Sequence, residues 1–304
     1  MTAGTGYALG ALFAFGLGDF IYKQSMRAGI RPPYFLAGLA WVFNPVIIVY
    51  ALSTGTLVIA PAALWGCLAG LAIFIGQQQF LKSLGIGSVS ITTPIFRLNF
   101  IVTVILAITI LHESLTPLKI VAFALALAAT WLLVAGFDRG SRPVGAAYFM
   151  HLATATLTMG AGSFLQKLGL RDGASPETML VAQALVFGCL ATAYLRSTEG
   201  TLKIPAAAWR HSLPAALLAV SAFLLMLHGL SIGPASVLVP IAQMGFVITS
   251  VLGIILLREP LTLRLAIGLL VAMLALLALA MSNGRASGAI SLAHDPFRLN
   301  QIMR

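Results

Sequence analysis

The chain is 304 residues long, 60% hydrophobic and only 9% charged. A soluble domain carries roughly 45–50% apolar residues, so too little polar surface is available here to coat a globule in water, and the composition is that of a polytopic membrane protein. The formal charge of +10 is concentrated in connecting loops and termini, where it suits anionic lipid headgroups better than a nucleic acid, and no nucleic-acid partner is expected.

About 20 apolar residues are needed to cross the hydrocarbon core. That length predicts ten helices, over about 5–24, 34–53, 62–82, 88–110, 117–136, 145–167, 177–195, 207–229, 235–257 and 262–281. Breaks between them carry loop chemistry, as in Arg31-Pro32-Pro33, Ala60-Pro61, Thr116-Pro117, Ser175-Pro176 and Glu259-Pro260. The expected fold is an all-α polytopic membrane protein with a first repeat over 1–137, a linker over 138–144, a second repeat over 145–282 and a polar tail over 283–304. The first apolar segment lacks a basic stretch or small-residue cleavage site before it and is expected to be a retained helix. Cys67 and Cys189 lie inside apolar segments, where a thiol behaves as a small hydrophobe.

The two halves repeat at low identity. Leu84 to Ala129 realigns on Leu230 to Ala275 at a fixed shift, pairing Gly87 with Gly233, Ser90 with Ser236, Pro94 with Pro240, Phe100 with Phe246, Thr103 with Thr249 and Glu113 with Glu259. Upstream, Gly16, Gly18 and Lys23 realign on Gly160, Gly162 and Lys167. Five spans is an odd number, so the second copy enters the bilayer from the opposite side, and such inverted repeats are the mark of a secondary transporter.

Arg97 lies near the middle of the fourth predicted span. A guanidinium at that depth costs at least about 2.5–3.5 kcal/mol on insertion scales and stays charged, so it must face the bundle interior with a partner or water. It either fixes an anionic group of a substrate or forms a permanent structural ion pair. Pro94, three residues earlier, lacks an amide proton and loosens the helix there, and Pro240 is expected to do the same in the other half, followed by Gln243. Asp19 is the acidic residue inside a span and the natural partner of Arg97 or, one turn on, of Lys23. A carboxylate able to take up a proton within a bundle also suits proton coupling.

Polar side chains expected around these are Asn99, Asn44, Gln77, Gln78, Ser163, Gln166 and Gln243, either lining a substrate cavity or serving as interhelical glue. Successive helical residues point about 100° apart, so at most two of Gln77, Gln78 and Gln79 face one cavity, and Gln77 and Gln78 are favoured. His151 and His228 read as structural histidines. Glu113 and Glu259 each precede a helix whose positive end they complement. No metal or cofactor is expected.

Two stretches of Gly-x-x-Ser-x-x-x-Pro, Gly87 to Pro94 and Gly233 to Pro240, each followed by a Glu and then Leu-Thr at Leu115-Thr116 and Leu261-Thr262, resemble the EamA-type branch of the drug/metabolite transporter superfamily. The resemblance runs from Gly6 to Met281 and implies a carrier of small metabolites in an inner or plasma membrane. It also implies an exporter of amino acids or related compounds, a central cavity and cytoplasmic termini. Counting Lys and Arg in the loops leans weakly toward external termini. The expected activity is alternating-access transport of a small metabolite such as an amino acid or related organic anion, with a lipid-linked or phosphorylated substrate as the alternative. A membrane enzyme finds no nucleophile elbow, His-Glu-x-x-His pair or Walker loop in the chain, and a passive channel would need a continuous polar ring.

Overall fold

The computed structural model describes residues 2–58, 60–86, 92, 95–134, 145–257 and 263–293. All regular elements among them are helices: α1 (Ala3–Arg27), α2 (Pro32–Thr54), α3 (Ala63–Ile86), α4 (Asn99–Ile110), α5 (Pro117–Val134), α6 (Ala146–Arg171), α7 (Pro176–Glu199), α8 (Ala206–Ile232), α9 (Ala235–Gln243), α10 (Phe246–Leu257) and α11 (Leu263–Ala293). Five are long and apolar enough to cross a membrane, and the stretches Ile95–Ile110, Pro117–Leu132, Ala235–Thr249 and Ala266–Ser282 are shorter apolar helices. With α6, these make the ten crossings of an all-α polytopic membrane protein. The linker 138–144 lies outside the described residues, as do Gly87, Ser90, Pro94, Glu259, Pro260 and Thr262. The last helix runs on to Ala293, so the tail expected from 283 begins as its continuation.

Local chemistry sets several boundaries. Ser175 caps α7 by accepting the Thr178 N–H at 3.1 Å, and Pro176 follows at the first helical position, where a missing amide proton costs nothing. Gly55 and Gly200 terminate α2 and α7 at φ 65° and 69°, a left-handed conformation that favours glycine.

Helices pack antiparallel across the repeat boundary. Along α1, Gly4, Gly10 and Gly18 meet Gly229, Leu225 and Leu218 of α8 in turn. Along α3, Gly76 meets Ala155 and Thr158 of α6, while Ile73 lies against Gly162 and Trp65 against Gly169. These are equivalent interfaces, since α1 and α6 are repeat mates, as are α3 and α8. Small residues at such crossings let backbones approach and gain van der Waals contact where no hydrophobic drive exists between lipid-bathed helices.

The fourth and ninth spans, each expected as one helix, are both interrupted. The first changes to i→i+3 bonding at Leu98 (Leu98 N–H to Ile95 O, 3.0 Å; Ile101 N–H to Leu98 O, 2.9 Å). The second does so at Met244 and Gly245, where the Met244 N–H reaches Ile241 O at 3.1 Å and the Val247 N–H reaches Met244 O at 3.0 Å. Leu98 and Met244 are repeat mates, so this tightened turn is a feature of both halves. Pro240 itself stays inside α9. The break falls one turn beyond it because Gly245 is pressed onto α1: a Cβ there would sit 2.9 Å from Gly16 N and 3.0 Å from Leu12 O.

The two joints are held in the same way. The Thr103 hydroxyl donates to Gly160 O at 2.9 Å, and the Thr249 hydroxyl donates to Gly16 O at 2.8 Å. A Cβ on Gly16 would lie 2.5 Å from Gly245 O and 2.6 Å from Ile248, and one on Gly160 would lie 2.6 Å from Val102. Gly6, by contrast, has open space around it. Gly16→Ala and Gly160→Ala are therefore each expected to cost about 1–3 kcal/mol through forced backbone shifts, and Gly6→Ala to cost nothing comparable. Thermal unfolding of the detergent-purified variants checks this, and equal melting temperatures for all three would contradict it.

Candidate functional site

A cavity of about 150 Å³, room for on the order of ten waters, lies between the halves and is lined by residues of α1, α2, α3, α6, α7, α8 and α9 together with Phe96 and Arg97. Arg97 and Asp19 are the charged side chains that line it. The Arg97 side chain, 9% exposed, makes an ion pair with the Asp19 carboxylate, itself 28% exposed. Its Nη1 donates to Gln243 Oε1 at 2.8 Å. Its Nε is buried and has no partner among the described residues. Arg97 and Gln243 occupy equivalent repeat positions immediately before the two broken-helix joints, so the guanidinium is held across the boundary between the halves.

Of the residues expected from the sequence, Asp19, Asn44, Gln77, Arg97, Ser163, Gln166 and Gln243 line this cavity. Gln166 and Gln183 spend part of their capacity on each other, Gln166 Nε2 donating to Gln183 Oε1 at 2.5 Å. Ser163 donates back to Met159 O at 3.4 Å, within its own helix.

Three expectations are corrected. Gln78 does not line the cavity; the 100° step between helical neighbours leaves only Gln77 there, and Gln79 turns to His151 Nδ1 at 2.7 Å. Asn99 is fully buried behind the joint, where its Nδ2 donates to Phe96 O at 2.8 Å and supports the broken helix. Lys23 does not line the cavity, and the cationic partner of Asp19 within it is Arg97. Pro94 lies outside the described residues, and Pro240 is buried within α9.

The aromatic wall is more extensive than the sequence indicated. Phe80 and Phe96 stack at 4.1 Å, Tyr22 meets Phe35 edge-on at 5.0 Å, and Phe15 and Phe43 both meet Phe223 edge-on, at 5.2 and 6.1 Å. All seven line the cavity. The space thus joins one ion pair and a few amides to a large apolar surface, suited to an amphipathic solute with a charged head.

Both ends of the bundle are tied by polar bridges. Toward the C-terminal end of α1, Arg31 pairs with Glu199 at 2.6 Å and joins α2 to α7. Toward the terminal side, His228 Nε2 lies 3.2 Å from Glu177, and Trp65 Nε1 donates to Asp172 at 2.7 Å. On that side Glu113 does something the sequence reading missed: instead of serving the helix that follows it, it accepts the Ala235 and Ser236 N–H groups at 2.8 and 2.9 Å and caps α9 of the other half. A carboxylate complements unsatisfied amides at a helix start wherever that start lies in the chain. Lys167 similarly ties the end of α8, donating to Leu230 O and Gly233 O at 2.7 Å each.

A multi-span helical bundle whose interrupted helices meet at an internal polar cavity is an arrangement shared with membrane carriers built from repeats. The profile of the EamA-like transporter family matches residues 147–281. That match covers somewhat less than half of the chain, so the second half resembles this family of small-solute transporters within the drug/metabolite transporter superfamily. Among 29 matching solved chains, a crystal structure described only as that of a protein has a TM-score of 0.78 over 93% of this chain and 98% of that one. Its 16% identity shows the fold alone. No curated protein matches the chain.

Removing the Glu113 cap leaves two amides at the head of α9 without an acceptor. Glu113→Ala is expected to lower stability by about 1–2 kcal/mol, with Glu113→Gln recovering part of it because the amide oxygen still accepts. An unchanged melting temperature for Glu113→Ala would show that the cap contributes nothing.

Proposed function

We propose that the protein is a secondary carrier, working as an exporter, for a small amphipathic metabolite bearing a carboxylate, such as an amino acid or related organic anion. The observation that carries this reading is Arg97: a permanently charged guanidinium in the cavity wall, with a buried Nε that no group among the described residues satisfies. Buried donors are nearly always paired, so an unpaired one beside a cavity is where a ligand's acceptor belongs. Asn44 and Gln77 add neutral hydrogen-bonding capacity, and the aromatic wall accepts an apolar body.

Alternating access follows from the symmetry. The halves, 1–137 and 145–282 joined by 138–144, rock about the two broken-helix joints while the polar bridges at one end open and those at the other close. A solute held at the joints lies near the bilayer midplane, on the axis that relates the two repeats. The reading places the protein in an inner or plasma membrane with cytoplasmic termini. A phosphorylated or lipid-linked substrate fits less well, because a dianion would face one guanidinium already matched by one carboxylate.

A thermal-shift screen of the detergent-purified protein against carboxylates, amino acids, nucleosides and phosphorylated metabolites tests this, since a ligand that binds only the folded state raises its stability. Carboxylates are expected to stabilise the wild type, and Arg97→Gln, which copies Gln243, is expected to stay folded and bind them at least about tenfold more weakly. If Arg97→Gln and Asp19→Asn each unfold the protein and the double variant restores it, the pair is scaffold and the proposal fails.

A further inference from the structure

The charge balance of the cavity determines what must accompany the solute. Arg97 and Asp19 are its charged lining residues, and they are paired with each other, so the empty site is neutral. Asp19 holds Nη2 and the unpaired donor is Nε, so a substrate carboxylate that binds both nitrogens along that edge of the guanidinium displaces the Asp19 carboxylate. We infer that Asp19 sets the proton stoichiometry of the carrier: a monoanionic substrate binds and leaves together with one proton, which Asp19 accepts, whereas a zwitterionic substrate binds without one, and export in either case is driven by the solute's own gradient. The inference rests on the reading of Arg97 as the carboxylate site.

The step balances. A free carboxylate and one solution proton go in; the solute's carboxylate ends on Arg97, and the proton ends on an Asp19 carboxylate oxygen as a neutral carboxylic acid. A buried carboxylate stripped of its counter-ion is costly, and protonation removes that cost. A zwitterion brings its own cation: its ammonium takes the place of Arg97 beside Asp19 while its carboxylate takes the place of Asp19 beside Arg97. In both cases the loaded cavity is neutral, so the translocation step moves no net charge through the bilayer.

The surroundings of Asp19 hold no competing proton acceptor among the described residues. Arg97 faces it from the fourth span, Lys23 lies one turn along α1 outside the cavity lining, and Tyr22 lies one turn along α1 with its hydroxyl buried and without a hydrogen-bond partner among the described residues. Tyr194 of α7 packs in the same cluster as Tyr22. Of the helices packed against α1, α9 and α10 carry no titratable side chain. On α8, His211 is half-buried and bonds to Ala207 O, and His228 is engaged with Glu177 near the helix end.

The test titrates the purified full-length protein with phenylacetate, a monoanion with an aromatic body, and with L-phenylalanine, its zwitterionic counterpart. Calorimetry in two buffers of different ionisation enthalpy reads the protons taken up per molecule bound. About one proton per phenylacetate and about none per phenylalanine are expected, and Asp19→Asn should bind phenylacetate with no uptake. Phenylacetate binding to the wild type without proton uptake, or equal uptake for both compounds, overturns the inference even if Arg97→Gln still abolishes binding, in which case the carboxylate site stands. The wild-type comparison decides the matter even if Asp19→Asn does not fold. If neither compound binds, the carboxylate site and the inference fall together.

Discussion

An arginine inside a bilayer cannot be neutralised by losing its proton, so everything around Arg97 must accommodate a full positive charge. The chain answers with an acid from α1 and an amide from α9, the first from the same half and the second from the other. Because Gln243 is the repeat mate of Arg97, that hydrogen bond joins equivalent points of the two halves. The broken-helix joints follow directly after these two residues, so the ion pair and the joints occupy the same place in the fold.

Around that pair the architecture repeats itself in opposite directions. Gly16 and Gly160 admit the joints of the fourth and ninth spans, and Thr103 and Thr249 fasten them with equivalent hydrogen bonds. The two halves depart from symmetry in the polar groups of the site: Arg97 against Gln243, and Asp19 against Ser163. In the proposed mechanism, symmetric packing serves a motion both halves share, while the asymmetric charges serve recognition, which needs only one copy.

Much of this was legible because membrane residence simplifies inference. Charges in lipid are costly, so Arg97 and Asp19 stand out in sequence, with Asp19 assigned to either Arg97 or Lys23, and apolar length with the loop residues between segments marks the spans. What was not legible depended on long-range packing. Helical periodicity limits how many of three glutamines can face one cavity but not which ones, so Gln78 was misplaced. Asn99 carries the same chemistry as a ligand group, yet its amide donates to Phe96 O beside the break at Leu98, which no proline within the described residues marks. Glu113 caps a helix more than a hundred residues away in sequence, a relation that local motifs cannot encode. The aromatic wall was hidden because phenylalanines on apolar helices look alike whether they face lipid, core or cavity.

The central claim is that the Asp19 carboxylate occupies the position that a substrate carboxylate takes on Arg97. The most direct measurement is an experimental structure of the protein saturated with phenylacetate. The account predicts the ligand's carboxylate within hydrogen-bond distance of the Arg97 guanidinium, its ring against Phe80 and Phe96, and Asp19 turned away from Arg97. A ligand bound elsewhere, or bound in the cavity while Asp19 keeps its place on Arg97, would contradict it.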